Sequence, residues 1–284
     1  MTATPRISRE RLSTLRHDGL TFDVFDEGPV GGEVVVLLHG FPERSSCWRD
    51  VAPLLHERGY RTVAMDQRGY SPGARPPRRR DYRISTLADD AAGLIDRIGG
   101  PVHLVGHDLG AANAWVLAMK RPDLVRTLTA ISVPHPAAYL KSVVTSPQFL
   151  KSWYILFFQL PALPELMARN PGPFDRSLRR SGMTRDQVAR FRKEIVDDGA
   201  FGPAVRWYRA FPFSDLGILR QHVSVPTTLV WSDGDSALTR WSVRHNDKYV
   251  DAAYELVVLE GVSHWIPTEA PRACADAILA RIGR

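Results

Sequence analysis

Cysteine is nearly absent: Cys47 and Cys274 allow at most one disulfide, and no C-x-x-C or comparable metal-ligand spacing occurs. Nothing in the chain therefore requires an oxidising compartment or a structural metal. Long apolar runs are also missing. The most apolar stretch, Trp153 to Phe158, ends at Gln159 and Pro161, well short of the roughly 18 residues that span a membrane. Met1 to Glu10 is polar and contains Arg, without the apolar segment of about 7–15 residues that marks a secretory leader. The expectation is a soluble cytoplasmic protein without a membrane span. The one Gly-x-Ser-x-Gly, Gly69-Tyr-Ser-Pro-Gly73, runs into a proline-broken arginine stretch and not into a helix, so it lacks the strand-turn-helix setting of a serine nucleophile, which argues against a serine esterase or lactonase. Lysine stands only at positions 120, 141, 151, 193 and 248, so nearly all of the basic charge is arginine.

That charge is spread along the chain. The 37 basic and 31 acidic residues leave a formal net charge of +6, with no basic face interleaved with aromatics as nucleic-acid binding would need. The densest run, Arg75-Pro-Pro-Arg-Arg-Arg80, is broken by proline, followed by Asp81, and reads as a solvated loop. The rest of the composition is that of a globular protein: 44% hydrophobic and 24% charged, with 21 Gly and 21 Pro. A chain of 284 residues accommodates two small domains or one α/β core with an insertion.

The order of elements selects the second. Buried strands are expected at Val34 to Leu38, Arg61 to Met65, Val102 to Val105, Leu128 to Val133, Thr227 to Trp231 and Tyr254 to Leu259. They alternate with helical patterns around Cys47 to Arg58, Leu109 to Lys120, Thr239 to Tyr249 and Ala270 to Ile282. Such alternation predicts a mostly parallel sheet covered by crossover helices. It stops at about Pro134 and resumes after Asp215. The division is thus a core at 1–133, an aromatic, proline-punctuated helical lid at 134–215, and the rest of the core at 216–284.

The strongest local signal is Gly106-His-Asp-Leu-Gly110, between a buried strand and a helix. It has the form of a nucleophile elbow, with small residues flanking a side chain on a tight turn, and Asp108 occupies the nucleophile slot. An orienting acid and a base should follow in that order beyond later strand ends, where parallel sheets collect their active sites. Ser232-Asp-Gly-Asp235 and Gly261-Val-Ser-His-Trp265 do so. His264 is the candidate base, and Asp235 is preferred to Asp233 because the Asp233-Gly234 turn presents the second carboxylate. His107 points away from Asp108 in such an elbow and is read as a hydrogen-bonded structural residue.

Together with His39-Gly-Phe-Pro-Glu43 and Asp66-Gln-Arg-Gly-Tyr70, these segments resemble the epoxide hydrolase family of α/β-hydrolases over nearly the whole chain. The resemblance implies an eight-stranded, mostly parallel sheet and an aspartate nucleophile, and it too selects Asp235. It implies an oxyanion hole from the backbone N–H groups of Phe41 and Leu109. It also implies two lid tyrosines that protonate the epoxide oxygen. Tyr208, in Trp207-Tyr-Arg209, matches one. In the helix Trp153 to Gln159 the favoured register places Phe157 at the other, with Tyr154 one turn earlier as its substitute. The substrate would be an apolar epoxide bound among Trp207, Phe157 and Trp153 and opened to a 1,2-diol, with no metal or organic cofactor, as in a detoxifying or catabolic enzyme. A homodimer is left open.

Two further readings remain. A haloalkane or haloacid dehalogenase would share the aspartate nucleophile. However, Leu109 stands where haloalkane dehalogenases carry a halide-binding Trp, and Leu109, Asn113 and Ala114 offer no Arg clamp for a haloacid carboxylate. A small-molecule receptor on the same scaffold would bind without turnover, yet all three triad positions carry competent residues.

Overall fold

The computed structural model describes residues 7–283. Its centre is an eight-stranded sheet in the order β1-β2-β4-β3-β5-β6-β7-β8. The strands are β1 (Thr14–His17), β2 (Leu20–Glu27), β3 (Val34–Leu38), β4 (Arg61–Met65), β5 (Val102–His107), β6 (Val125–Ile131), β7 (Thr227–Ser232) and β8 (Tyr254–Leu259). β2 runs antiparallel to β1 and β4, and every other pairing is parallel. The strands β3, uniformly apolar, and β5, apolar apart from His103 and His107, are buried along their whole length, as parallel strands covered on both faces are. On one face lie helices Ile84–Ile98 and Leu109–Lys120, and on the other Ala52–His56 and Pro271–Ile282.

The structure departs from the sequence expectation in two helices. The helix expected over Cys47 to Arg58 is two short pieces, Ser45–Trp48 and Ala52–His56, because Pro53 suits only a first turn and restarts the helix. The helix expected over Thr239 to Tyr249 also breaks. The Asn246 amide donates to the carbonyls of Ser242 and Val243, while its oxygen accepts the His135 N–H, so a side chain takes the place of the helical ladder.

Between β6 and β7 the chain forms helices only, among them Pro136–Thr145, Trp153–Gln159, Leu163–Arg169, Pro173–Arg180, Arg185–Phe191 and Phe201–Arg209. These helices share an aromatic core that includes Phe174, Phe191, Phe201 and Tyr208, and it is sealed onto the sheet by Phe41, Leu109 and Trp265.

Candidate active site

Asp108 follows the last residue of β5 and precedes the helix Leu109–Lys120. It sits at φ 53° and ψ −124°, a conformation that costs a non-glycine residue roughly 1–3 kcal/mol and is held by its surroundings. Crowding explains the flanking glycines. A Cβ at Gly110 would lie 2.3 Å from the Leu38 carbonyl oxygen, and one at Gly40 would lie 2.3 Å from Cβ of Asp108. The turn is thus pressed against the loop after β3. That loop is fixed in turn by Gln67, whose N–H donates to Nε2 of His39 and whose side-chain amide donates to the His39 carbonyl.

The close approach aims backbone donors at the carboxylate. Phe41 N–H donates to Oδ1 of Asp108 at 2.8 Å, and the Leu109 N–H also faces the carboxylate. Oδ2 lies 3.3 Å from Nε2 of His264. On the other side of that ring, Nδ1 is 2.8 Å from Oδ2 of Asp235. The second Asp235 oxygen accepts the N–H groups of Ala237 and Leu238, so this carboxylate is fully engaged. Asp233 instead accepts the Gly261 N–H and closes the turn between the two loops. Nε2 of His107 and Oγ of Ser132 both contact the His264 carbonyl, bracing the loop that carries it.

Burial works against charge on both central groups, and pairing reverses it. Desolvation alone would raise the Asp108 pKa, but the hydrogen bond and charge of His264 hold it below the ordinary 3.8. Desolvation would likewise lower His264, yet Asp235 and Asp108 push it up to about 10. The resting site is a carboxylate–imidazolium–carboxylate row.

Two cavities, of about 290 Å³ and about 250 Å³, meet at Asp108, Tyr154 and Tyr208, which line both. The first is walled by Phe41, Phe158, Leu178 and Trp265 and opens past Lys151, Trp153 and Arg180. The second is nearly all apolar, between Leu109, Val116, Tyr139, Ile155 and Leu238. The Tyr154 and Tyr208 rings meet edge to face at 5.9 Å. Their hydroxyls bond no other described residue. Burial, followed for Tyr208 by the Asp108 charge, raises both phenols well above 10, so each is a protonated donor over the carboxylate.

Two residues expected to touch substrate do not line either cavity. Trp207 is 1% exposed, donates its indole N–H to the Arg68 carbonyl, and packs against Tyr70 behind the site. Its helix turns Tyr208 inward, and an adjacent residue cannot share that face. Phe157 similarly lies beside Trp153, while its neighbour Phe158 faces the cavity and stacks on Tyr208. In the helix Trp153–Gln159 it is Tyr154, one turn before Phe158, that reaches Asp108's cavity.

Glu43 had no assigned role in the sequence, although it closes the His39–Glu43 motif. It is buried, with Oε2 3.9 Å from Nδ1 of His107 and Oε1 3.7 Å from the Arg190 guanidinium of the helix Arg185–Phe191. Burial is the main reason its pKa rises from 4.5 to about 8. Between those values the unfolded chain carries this charge and the folded chain a proton, so folding takes up a proton and stability falls as pH rises. Glu43→Gln should therefore match the wild type below about pH 4.5 and gain relative stability until about pH 8, read as melting temperature by calorimetry. A difference constant over that range would mean that Glu43 is ionised in the fold.

Residues 33–271 match the family described as alpha/beta hydrolase fold. The chain is 31% identical to Epoxide hydrolase 3 of Xenopus tropicalis over 91% of its own length and 73% of that protein's. With human Epoxide hydrolase 4 it shares 30% identity over 94% and 77% of the two lengths. The chain belongs to the alpha/beta hydrolase fold family and is of the epoxide hydrolase type. This hydrolase is also 35% identical to the AB hydrolase superfamily protein YfhM of Bacillus subtilis (strain 168), over 92% and 94% of the two chains. Among solved structures it superimposes with a TM-score of 0.82 on one of the epoxide hydrolases from metagenomes of hot environments, at 26% identity over 96% and 98% of the chains. No helix among the described residues is long and apolar enough to cross a membrane.

Proposed function

We propose that the hydrolase converts an apolar epoxide and water to a 1,2-diol through a covalent ester on Asp108. The observation that carries this reading is the pair of unpartnered, protonated tyrosine hydroxyls in the cavity that Asp108 lines. An epoxide needs a carboxylate behind carbon and a proton donor at oxygen, because an unassisted alkoxide leaves poorly near neutral pH.

In the first step Oδ2 of Asp108 forms a bond to an epoxide carbon, that carbon's bond to oxygen breaks, and Tyr154 or Tyr208 gives its proton to the alkoxide. Oδ1 stays on the Phe41 N–H throughout and becomes the ester carbonyl oxygen. Esterification removes the charge 3.3 Å from His264, which lowers the pKa of the imidazole and frees it to act as a base. Oriented by Asp235, His264 then takes a proton from a water that attacks Cγ of Asp108. The tetrahedral oxyanion on Oδ1 is held by the N–H groups of Phe41 and Leu109, worth about 2.7–4 kcal/mol for each donor. Collapse breaks the Cγ–Oδ2 bond and the diol alkoxide leaves with the His264 proton; the proton left on the new Asp108 carboxyl passes to His264 and restores the imidazolium, while the proton that the imidazolium shed on esterification has returned to the tyrosinate. Residues 134–215 act as the lid that excludes bulk water and delivers the two tyrosines.

Diol formation from aryl and aliphatic epoxides tests the reading. Tyr154→Phe and Tyr208→Phe should each lower the ring-opening rate by about tenfold to a hundredfold, and the double variant by about a thousandfold or more. Halide release from bromoalkanes at a rate that ignores both substitutions would instead favour dehalogenation, for which two phenols over the nucleophile have no evident use.

A further inference from the structure

The outer surface of the helices before Pro173 is unusually apolar for a chain with a soluble core. Phe149, Leu150, Trp153, Leu156, Leu163 and Leu166 are between 42% and 74% exposed. They lie on three consecutive short helices, Gln148–Lys151, Trp153–Gln159 and Leu163–Arg169, each of which turns two of them to solvent. Exposed clusters of this size mark an interaction surface.

The charge around them is one-sided. Residues 136–183 contain six Lys or Arg and only two acids, Glu165 and Asp175. Both acids are consumed within the fold, by Arg209 and Arg192. Lys141, Arg169 and Arg180, on the same segment as the apolar residues, therefore have no acidic partner there, and Lys151 donates only to the Asp235 carbonyl. Lys151, Trp153 and Arg180 also line the opening of the larger cavity, so this face and the route to Asp108 are continuous.

We propose that this face docks on an anionic phospholipid surface, with the leucines and aromatics set among the acyl chains and the cations among the headgroups. Apolar side chains ringed by Lys and Arg are the composition of interfacial membrane binding. A second copy of the chain fits less well, since face-to-face pairing would set these unneutralised cations against each other. Docking turns the cavity opening towards the phase in which an apolar substrate dissolves. The proposal does not depend on the identity of that substrate.

Vesicle co-sedimentation tests it with the full chain. Vesicles of phosphatidylcholine with about one-third phosphatidylglycerol should retain the protein at least about tenfold better than phosphatidylcholine alone, and raising the salt should reverse the retention. Leu156→Asp combined with Leu166→Asp should abolish binding while leaving turnover of a water-soluble substrate unchanged. Lys141→Gln with Arg169→Gln should weaken it in proportion to the charge removed. Equal binding to both vesicle types, no binding to either, or binding untouched by the aspartates would each overturn the proposal. So would a dimer in sedimentation that Leu156→Asp converts to monomer without any vesicle binding, which would assign the face to a second copy.

Discussion

Asp108→Ala leaves a folded protein that makes no diol above the uncatalysed rate. Removal of a covalent nucleophile typically costs about 10⁴–10⁶ in turnover, and here no neighbouring group can replace it. Every other carboxylate near the site is committed: Asp235 to His264, Ala237 and Leu238, and Glu43 to its proton. Folding should survive, because alanine removes a buried charge along with its Phe41 and His264 contacts, although the φ of 53° at this position still has to be borne. The route of the oxygen gives a sharper readout. In a single turnover of the wild type in ¹⁸O-water, the label should enter Asp108 and not the diol, since the diol oxygen is Oδ2 and the water oxygen joins Cγ. Label found directly in the diol would mean that water, not Asp108, attacks the epoxide.

His264→Gln should separate the two half-reactions. Oδ1 keeps its backbone donors and the tyrosines keep their protons, so Oδ2 still opens the epoxide. Glutamine cannot take a proton from water, so the ester persists and turnover falls by about 10²–10⁴. Intact mass spectrometry should show the protein heavier by one epoxide, with at most one equivalent of ring opening per site. Alkylation in the variant should also shift to higher pH. Without the imidazolium, burial raises the Asp108 pKa, and the carboxylate must be ionised to attack. A folded variant that turns over at the wild-type rate, or that never acquires the adduct, would remove His264 from the second step. In the wild type, the water step should quicken with pH while alkylation does not, because only the water step needs neutral His264.

The relation between sequence and site differs from residue to residue. Asp108, Asp235 and His264 were legible because each stands at the carboxyl end of a strand that its own β-branched run announces, and parallel sheets gather such ends. The strand pair β1 and β2 and the helix Ile84–Ile98 had no assignment from the sequence. Half-buried strands such as Leu20–Glu27, one in from the edge of the sheet, carry charges that break up an apolar run. Phe157 and Trp207 show the limit more sharply. Both lie in aromatic helices where neighbours Phe158 and Tyr208 look equally suited to a cavity, and only the angle at which each helix meets the sheet chooses between them.

The sequence by itself determined the class of sheet and the order in which Asp108, Asp235 and His264 follow beyond successive strand ends, because these depend on period, turn residues and residue type, all local properties. Tertiary structure alone decided that Tyr154 rather than Phe157 reaches the cavity with Tyr208, and that Glu43 is buried enough to hold a proton up to about pH 8. Those outcomes turn on distances of a few ångströms and on desolvation, set by segments far apart in the chain, and no periodicity within one segment encodes them.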